Sequence, residues 1–185
     1  LAELYYWMGK TNKALAVLDN GLKLLKSDNL LFAKAWLETV ARNYEKSLET
    51  LNSIGLNIYI KQTEFTPIET FYGINFIHLG EMDKAIEYFN KSKAILENAI
   101  EDTPKDIRIH SEYAIVLAYL GLREEALKTA EFATSIIPIE IDAVIGTKHF
   151  ITITKVLTII GEFKRAIENL ELMRTIPAGP TLESL

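Results

Sequence analysis

An all-α solenoid of about five helix-turn-helix repeats is the fold this sequence predicts, on three observations. Gly9, Gly80, Gly121 and Gly161 are each followed five residues later by alanine, namely Ala14, Ala85, Ala126 and Ala166, and a degenerate copy carries Arg42 and Ser47. The turn positions lie 33, 38, 41 and 40 residues apart, a period at which helical hairpins stack on one another. On both sides of each turn, apolar residues recur at helical spacing, as with Ala114, Leu117 and Leu120 before Gly121. Glycine ends a helix in the left-handed conformation without a Cβ clash, and alanine lets the two helices of a hairpin approach closely.

Ten helices follow from this division. Segments 1–8 and 11–26 flank Gly9, and 29–41 and 44–54 flank Arg42. The stretch "GLNIYIKQTEF", Gly55 to Phe65, is the single long connector, and its apolar residues predict that it packs against the helices. The helix over 67–79 opens on "TPIE", with Thr66 as N-cap, Pro67 in the first helical position and Glu69 in the third. Beyond Gly80, in "FIHLGEMDKAIEYFNKSKAI", the next helix covers 82–101. "TPKD", Thr103 to Asp106, opens 104–120 in the same way, and 123–136 stops before Pro138. The last pair is 141–160 and 163–175, with Pro177 ending the second. The repeats thus run about 1–26, 29–54, 67–101, 104–138 and 141–177, within one domain over 1–185.

Composition narrows the function classes. With 49% hydrophobic residues the chain can bury a substantial core. A net charge of −5 and a pI near 5.3 provide no basic field for phosphate backbones or anionic membrane surfaces, so neither nucleic acid nor membrane is an expected partner. The absence of cysteine removes disulfides, zinc–thiolate sites and thiol nucleophiles. The most apolar stretch, "FITITKVLTIIG", is short and carries Lys155. Glu3 and the polar run after Met8 do not fit a signal peptide, and the cytoplasm is the expected compartment. Because the sequence opens at Leu1 within a truncated first helix, it reads as a piece of a longer chain.

The repeat pattern resembles the tetratricopeptide repeat (TPR) family. In "FYGINFIHLGEMDKAIEYFNKSKAI", Gly73 and Phe76 stand in the first helix, Gly80 at the turn, and Ala85 and Phe89 in the second, as that family's motif has them. Ala114, Leu117, Gly121, Ala126, Ala133 and Pro138 supply the next copy. The resemblance covers nearly the whole chain and implies a right-handed superhelix. Three intervals exceed the family's usual 34 residues. The end, "AIENLELMRTIPAGPTLESL", is more weakly similar to the C-terminal repeat regions of bacterial multidomain signalling proteins, which follow a kinase, cyclase or winged-helix domain.

Candidate chemistry is sparse. The chain has three histidines, His78, His110 and His149, the residue type that acid-base or metal chemistry near neutral pH would call on, and they fall in three different repeats. Their spacing suggests surface or groove histidines, with no carboxylate placed to complete a metal site. No nucleophile elbow or phosphate-cradling glycine loop occurs, so neither an enzyme nor a cofactor or metal site is expected. In the run Tyr5–Tyr6–Trp7, three consecutive rings span more than half a helix circumference. At least one therefore faces away from the core unless a preceding segment covers it.

In the TPR family the first helices line a concave face where ligands lie. Transferring those positions by register implies a lining of Phe32, Trp36 and Thr39; Thr70, Ile74 and Ile77; Arg108, Ser111, Ile115 and Tyr119; and Lys148, Ile151, Thr152 and Lys155. It is apolar with a basic end. The variant that clamps chaperone carboxylates has lysine and asparagine where Thr70 and Ile74, and Ser111 and Ile115, stand here. The resemblance therefore implies a non-catalytic scaffold that holds a protein or peptide, acidic with apolar anchors. The alternative is a sensory repeat domain of a bacterial signalling protein that binds a small ligand.

Overall fold

A computed structural model describes residues 1–175. Among them all ten expected helices form: α1 (Ala2–Trp7), α2 (Thr11–Leu24), α3 (Asp28–Val40), α4 (Tyr44–Leu51), α5 (Ile68–His78), α6 (Met82–Asp102), α7 (Ile107–Tyr119), α8 (Arg123–Ile136), α9 (Ala143–Ile159) and α10 (Phe163–Met173). They pair as five hairpins. Pro177 lies outside the described residues. No described helix is long and apolar enough to cross a membrane.

All five turns share one geometry. Gly9, Gly80, Gly121 and Gly161 have positive φ, and so does Arg42, at 61°. After each, an amide reaches back five residues: Glu81 N–H donates to Phe76 O at 2.9 Å, and Asn43 N–H to Glu38 O at 2.8 Å. This is the bonding that closes a helix through a left-handed residue. The alanines that follow are buried, as is Ser47 in the degenerate copy. Ser47 shows directly that the position is a helix contact, because its hydroxyl donates to Ala35 O of α3 at 2.9 Å. Asn75 Nδ2 donates to Ser47 Oγ at 3.1 Å and to Phe71 O at 2.8 Å, and Thr39 Oγ1 lies 3.0 Å from Asn75 Oδ1. The hydroxyl introduced at an alanine position is thus fully satisfied by polar neighbours.

Three sequence expectations are corrected. The 55–65 connector does pack, but as a β-hairpin of β1 (Ile58–Lys61) and β2 (Glu64–Pro67), with Tyr59 buried. The β-branched and aromatic run Ile58–Tyr59–Ile60 favours strand, while the Gln62–Thr63 link lacks the Asn-Gly or Asp-Gly signal that announces a hairpin. Thr66 and Pro67 consequently belong to β2 and do not cap a helix, and Ile68 N–H donates to Asn57 O at 2.9 Å. Thr103 does not cap α7 either: its hydroxyl donates back to Ala99 O at 2.9 Å, finishing α6, and Asp106 is the N-cap.

The described chain groups into two compact units. The first holds Leu1–Tyr59 and Ile68–Tyr88. Its core includes one cluster around Ala14, Leu18 and Leu37 and another around Phe32, Ala35, Leu51, Tyr59 and Ile68. Tyr59 lies against Phe32, ring centroids 4.8 Å apart. The second unit holds Ile60–Pro67 and the chain from Phe89 onward. There α7 is buried along most of its length and packs on α8, α9 and β2. Gly146 of α9 approaches the preceding segment so closely that a Cβ would stand 3.0 Å from Ile137 O and from Ile139 backbone atoms.

Candidate partner-binding face

In the second unit, the first helices of the last two hairpins, α7 and α9, pack side by side. Asp106 starts α7 by accepting from Arg108 N–H at 3.0 Å. The Arg108 guanidinium folds back on the same carboxylate, with Nε at 3.0 and 3.2 Å and Nη2 at 2.5 Å. Its Nη1 donates to Lys61 O at 3.0 Å. Hydrogen bonds from Arg108 hold the Asp106 carboxyl below the usual carboxylate range, and Asp106 in turn raises Arg108. Arg108, expected as a groove cation, is therefore spent internally, joining the α7 cap to the backbone where β1 ends.

One turn further along, Ser111 Oγ and His149 Nδ1 are 2.9 Å apart. Both are buried, His149 to 2% exposure. Burial pushes the imidazole down to about 4, so it is neutral at pH 7. A serine beside a histidine invites comparison with a nucleophile and its base. The arrangement lacks what that chemistry needs, because His149 Nε2 has no hydrogen-bond partner to orient the ring and neither side chain is open to a substrate. It is a polar tie between helices. The expectation of surface or groove histidines holds for His78, exposed and stacked on Tyr44 at 4.8 Å, but not for the other two. His110 is buried edge-on to Phe132, and its Nε2 lies 2.9 Å from Pro104 O. Both sit on first helices enclosed by neighbours, which local sequence does not announce. No three His, Asp or Glu side chains among the described residues gather to hold a metal ion.

The remaining second-unit positions divide by exposure. Thr152 is buried, while Ile115, Tyr119 and Ile151 are half-buried. Tyr119 lies flat on Phe89, ring centroids 4.7 Å apart, and burial pushes its hydroxyl up to about 12. Lys148 and Lys155 are exposed. Seven residues apart, they share one face of α9.

In the first unit, Phe32 and Thr70 are buried, Thr39 is engaged with Asn75, and Ile74 and Ile77 are half-buried. Trp36 is exposed, edge-on to Tyr6 at 4.5 Å. Of the consecutive rings on α1, Tyr5 and Tyr6 are half-buried and Trp7 is exposed. Sequence reasoning missed Asp106 and Lys61 as the partners of Arg108. The pairing of Asp106 with Arg108 two residues later was the available signal; the carbonyl was invisible.

No known family model matches the chain, and no curated protein matches it. Solved structures do. A thermophilic TPR protein of Thermus thermophilus superposes with a TM-score of 0.63 at 14% identity, over 95% of this chain and 88% of that one. A tetratricopeptide repeat protein of Parabacteroides merdae gives a TM-score of 0.54 at 21% identity, over 99% of this chain and 65% of that one. At such identities the likeness is one of fold, and the chain has the all-α helical-repeat fold seen in TPR proteins.

Proposed function

We propose that this chain is a non-catalytic interaction module that holds an acidic peptide with apolar anchors, or a partner segment of that chemistry, on the α7–α9 face. The observation that carries the proposal is the asymmetry of the basic residues there. Arg108 is consumed by Asp106 and Lys61, whereas Lys148 and Lys155 stand exposed on one face of α9 with no ion pair to a described residue. Half-buried Ile115, Tyr119 and Ile151 supply apolar area beside them. A carboxylate-bearing segment would meet two ammonium groups while an aliphatic side chain covers the isoleucines. TPR-fold structures at these identities support the architecture this reading uses.

The test is fluorescence-anisotropy titration of an acidic peptide set in which paired Asp or Glu flank Leu or Phe. Lys148→Glu and Lys155→Glu are each expected to weaken the best peptide about tenfold, by roughly 1.4 kcal/mol. Lys128→Glu, on α8, is expected to leave it unchanged. Arg108→Ala is expected to lower the melting temperature with little change in affinity. Equal losses from Lys128→Glu and the α9 variants would reduce the effect to general charge, and full binding by both α9 variants would remove this face from the mechanism.

A further inference from the structure

The β-hairpin between α4 and α5 has two edges, and they are not alike. Its two-residue link, Gln62–Thr63, sets Lys61 opposite Glu64, Tyr59 opposite Thr66 and Asn57 opposite Ile68, the register in which Ile68 N–H donates to Asn57 O at 2.9 Å. Those pairs bond across the hairpin. The pairs between them, Ile60 with Phe65 and Ile58 with Pro67, therefore turn their backbone groups outward. On the β2 side that edge is closed, because Pro67 has no N–H to offer and α7 packs on the strand. The β1 side is open. No described residue outside the hairpin donates to or accepts from the backbone of Ile58 or Ile60, and the Ile60 side chain is 53% exposed. β1 reads Ile-Tyr-Ile-Lys, with no proline or glycine to blunt it and its single charge at the end.

We propose that the free edge of β1 takes an extended segment of a partner polypeptide as a third strand of this sheet. Ile58 and Ile60 each present an N–H donor and a C=O acceptor, at a two-residue spacing that an extended backbone answers in full. A helix or a small ligand does not. The Ile58 and Ile60 side chains share one face of the sheet, so the best-suited segment carries β-branched residues at alternate positions on that face. Tyr59 points to the other face, where its contact with Phe32, ring centroids 4.8 Å apart, holds the strand in place for pairing. A second copy of the chain is the poorer occupant. Four residues make about 13 Å of strand, and so short an edge covers well under the about 800 Å² per partner of a stable dimer. The edge uses no α9 residue, so it stands or falls independently of the acidic-peptide reading.

The test adds a fluorescein-labelled peptide, Lys-Thr-Val-Thr-Val-Thr-Lys, to the whole chain. Its lysine ends keep it off the Lys148 and Lys155 face. Fluorescence anisotropy is expected to show saturable binding with Kd at or below ~1 mM. Valines set opposite Ile58 and Ile60 turn their own amides toward β1, so N-methylating both valines is expected to weaken binding about tenfold or more, and N-methylating the threonines to leave it within about twofold. Ile60→Pro removes only an outward amide and is expected to weaken binding about tenfold as well. Circular dichroism checks that the variant is folded. Should it fail that check, the methylated peptides on the unaltered chain still decide, together with slowed amide exchange of Ile58 and Ile60 on peptide addition, read by NMR. No saturable binding, equal affinity of the two methylated peptides, or a folded Ile60→Pro variant with parent affinity would each overturn the proposal. So would a peptide-free dimer in sedimentation that Ile60→Pro abolishes, which would give the edge to a second copy.

Discussion

Arg42 holds a φ of 61° at the turn where the other four repeats have glycine. An L-residue there carries its Cβ against the following carbonyl, a cost of about 1–2 kcal/mol that glycine avoids, while glycine gives back part of it in unfolded-state entropy. Arg42→Gly is therefore expected to stabilise the chain by about 0.5–1 kcal/mol, read as a higher urea midpoint at unchanged slope; a lower midpoint would mean that the arginine side chain is needed at that turn. His149 offers a second residue-scale experiment. Burial lowers its folded pKa to about 4 from an ordinary 6.5, while Asp106 opposes that shift and Lys148 and Arg108 add to it. The unfolded chain then takes up a proton near pH 6.5 that the folded chain refuses until about pH 4. The associated stability is fully present above pH 6.5 and falls away as pH drops through that window, by about 3 kcal/mol in all. His149→Asn keeps an atom within reach of Ser111 and does not titrate. Its melting temperature is expected to fall less than the parent's between pH 7 and 4.5, and parallel curves would show that the imidazole is not the group responsible.

Helices, turns and the hairpin are legible to different degrees, for a physical reason that each shows. The turns follow from one conformational requirement, positive φ, which glycine declares in the sequence. Helix contacts follow from one size requirement, which alanine declares. Ala126 is fully buried, so Ala126→Leu is expected to force α8 away from its neighbours and cost about 1–3 kcal/mol in denaturant unfolding. Gly146→Ala adds a smaller group at a tighter place, 3.0 Å from the backbone of Ile137 and Ile139, and is expected to destabilise likewise. A parent-like melt for both would place those helix contacts elsewhere. The hairpin was less legible because strand pairing depends on a partner strand and a surface to cover. Tyr59 becomes a strand residue buried on Phe32 only once α3 presents that ring.

At the scale of the whole chain, period and side-chain size determined what could be read in advance: five hairpins, where each turns, and which helix touches its partner. These properties are local, set within a few residues by backbone conformation and packing radius, so they survive without knowledge of the rest. Which positions of the expected groove stand open was decided only by tertiary structure. Arg108 was a free cation until a carbonyl 47 residues earlier came within 3.0 Å. Ser111 was a groove hydroxyl until His149, 38 residues on, met it. Thr39 was a groove position until Asn75, 36 residues on, took its hydroxyl. Exposure and pairing are properties of whatever the fold brings alongside, and residues so far apart in the chain leave no spacing pattern by which one announces the other.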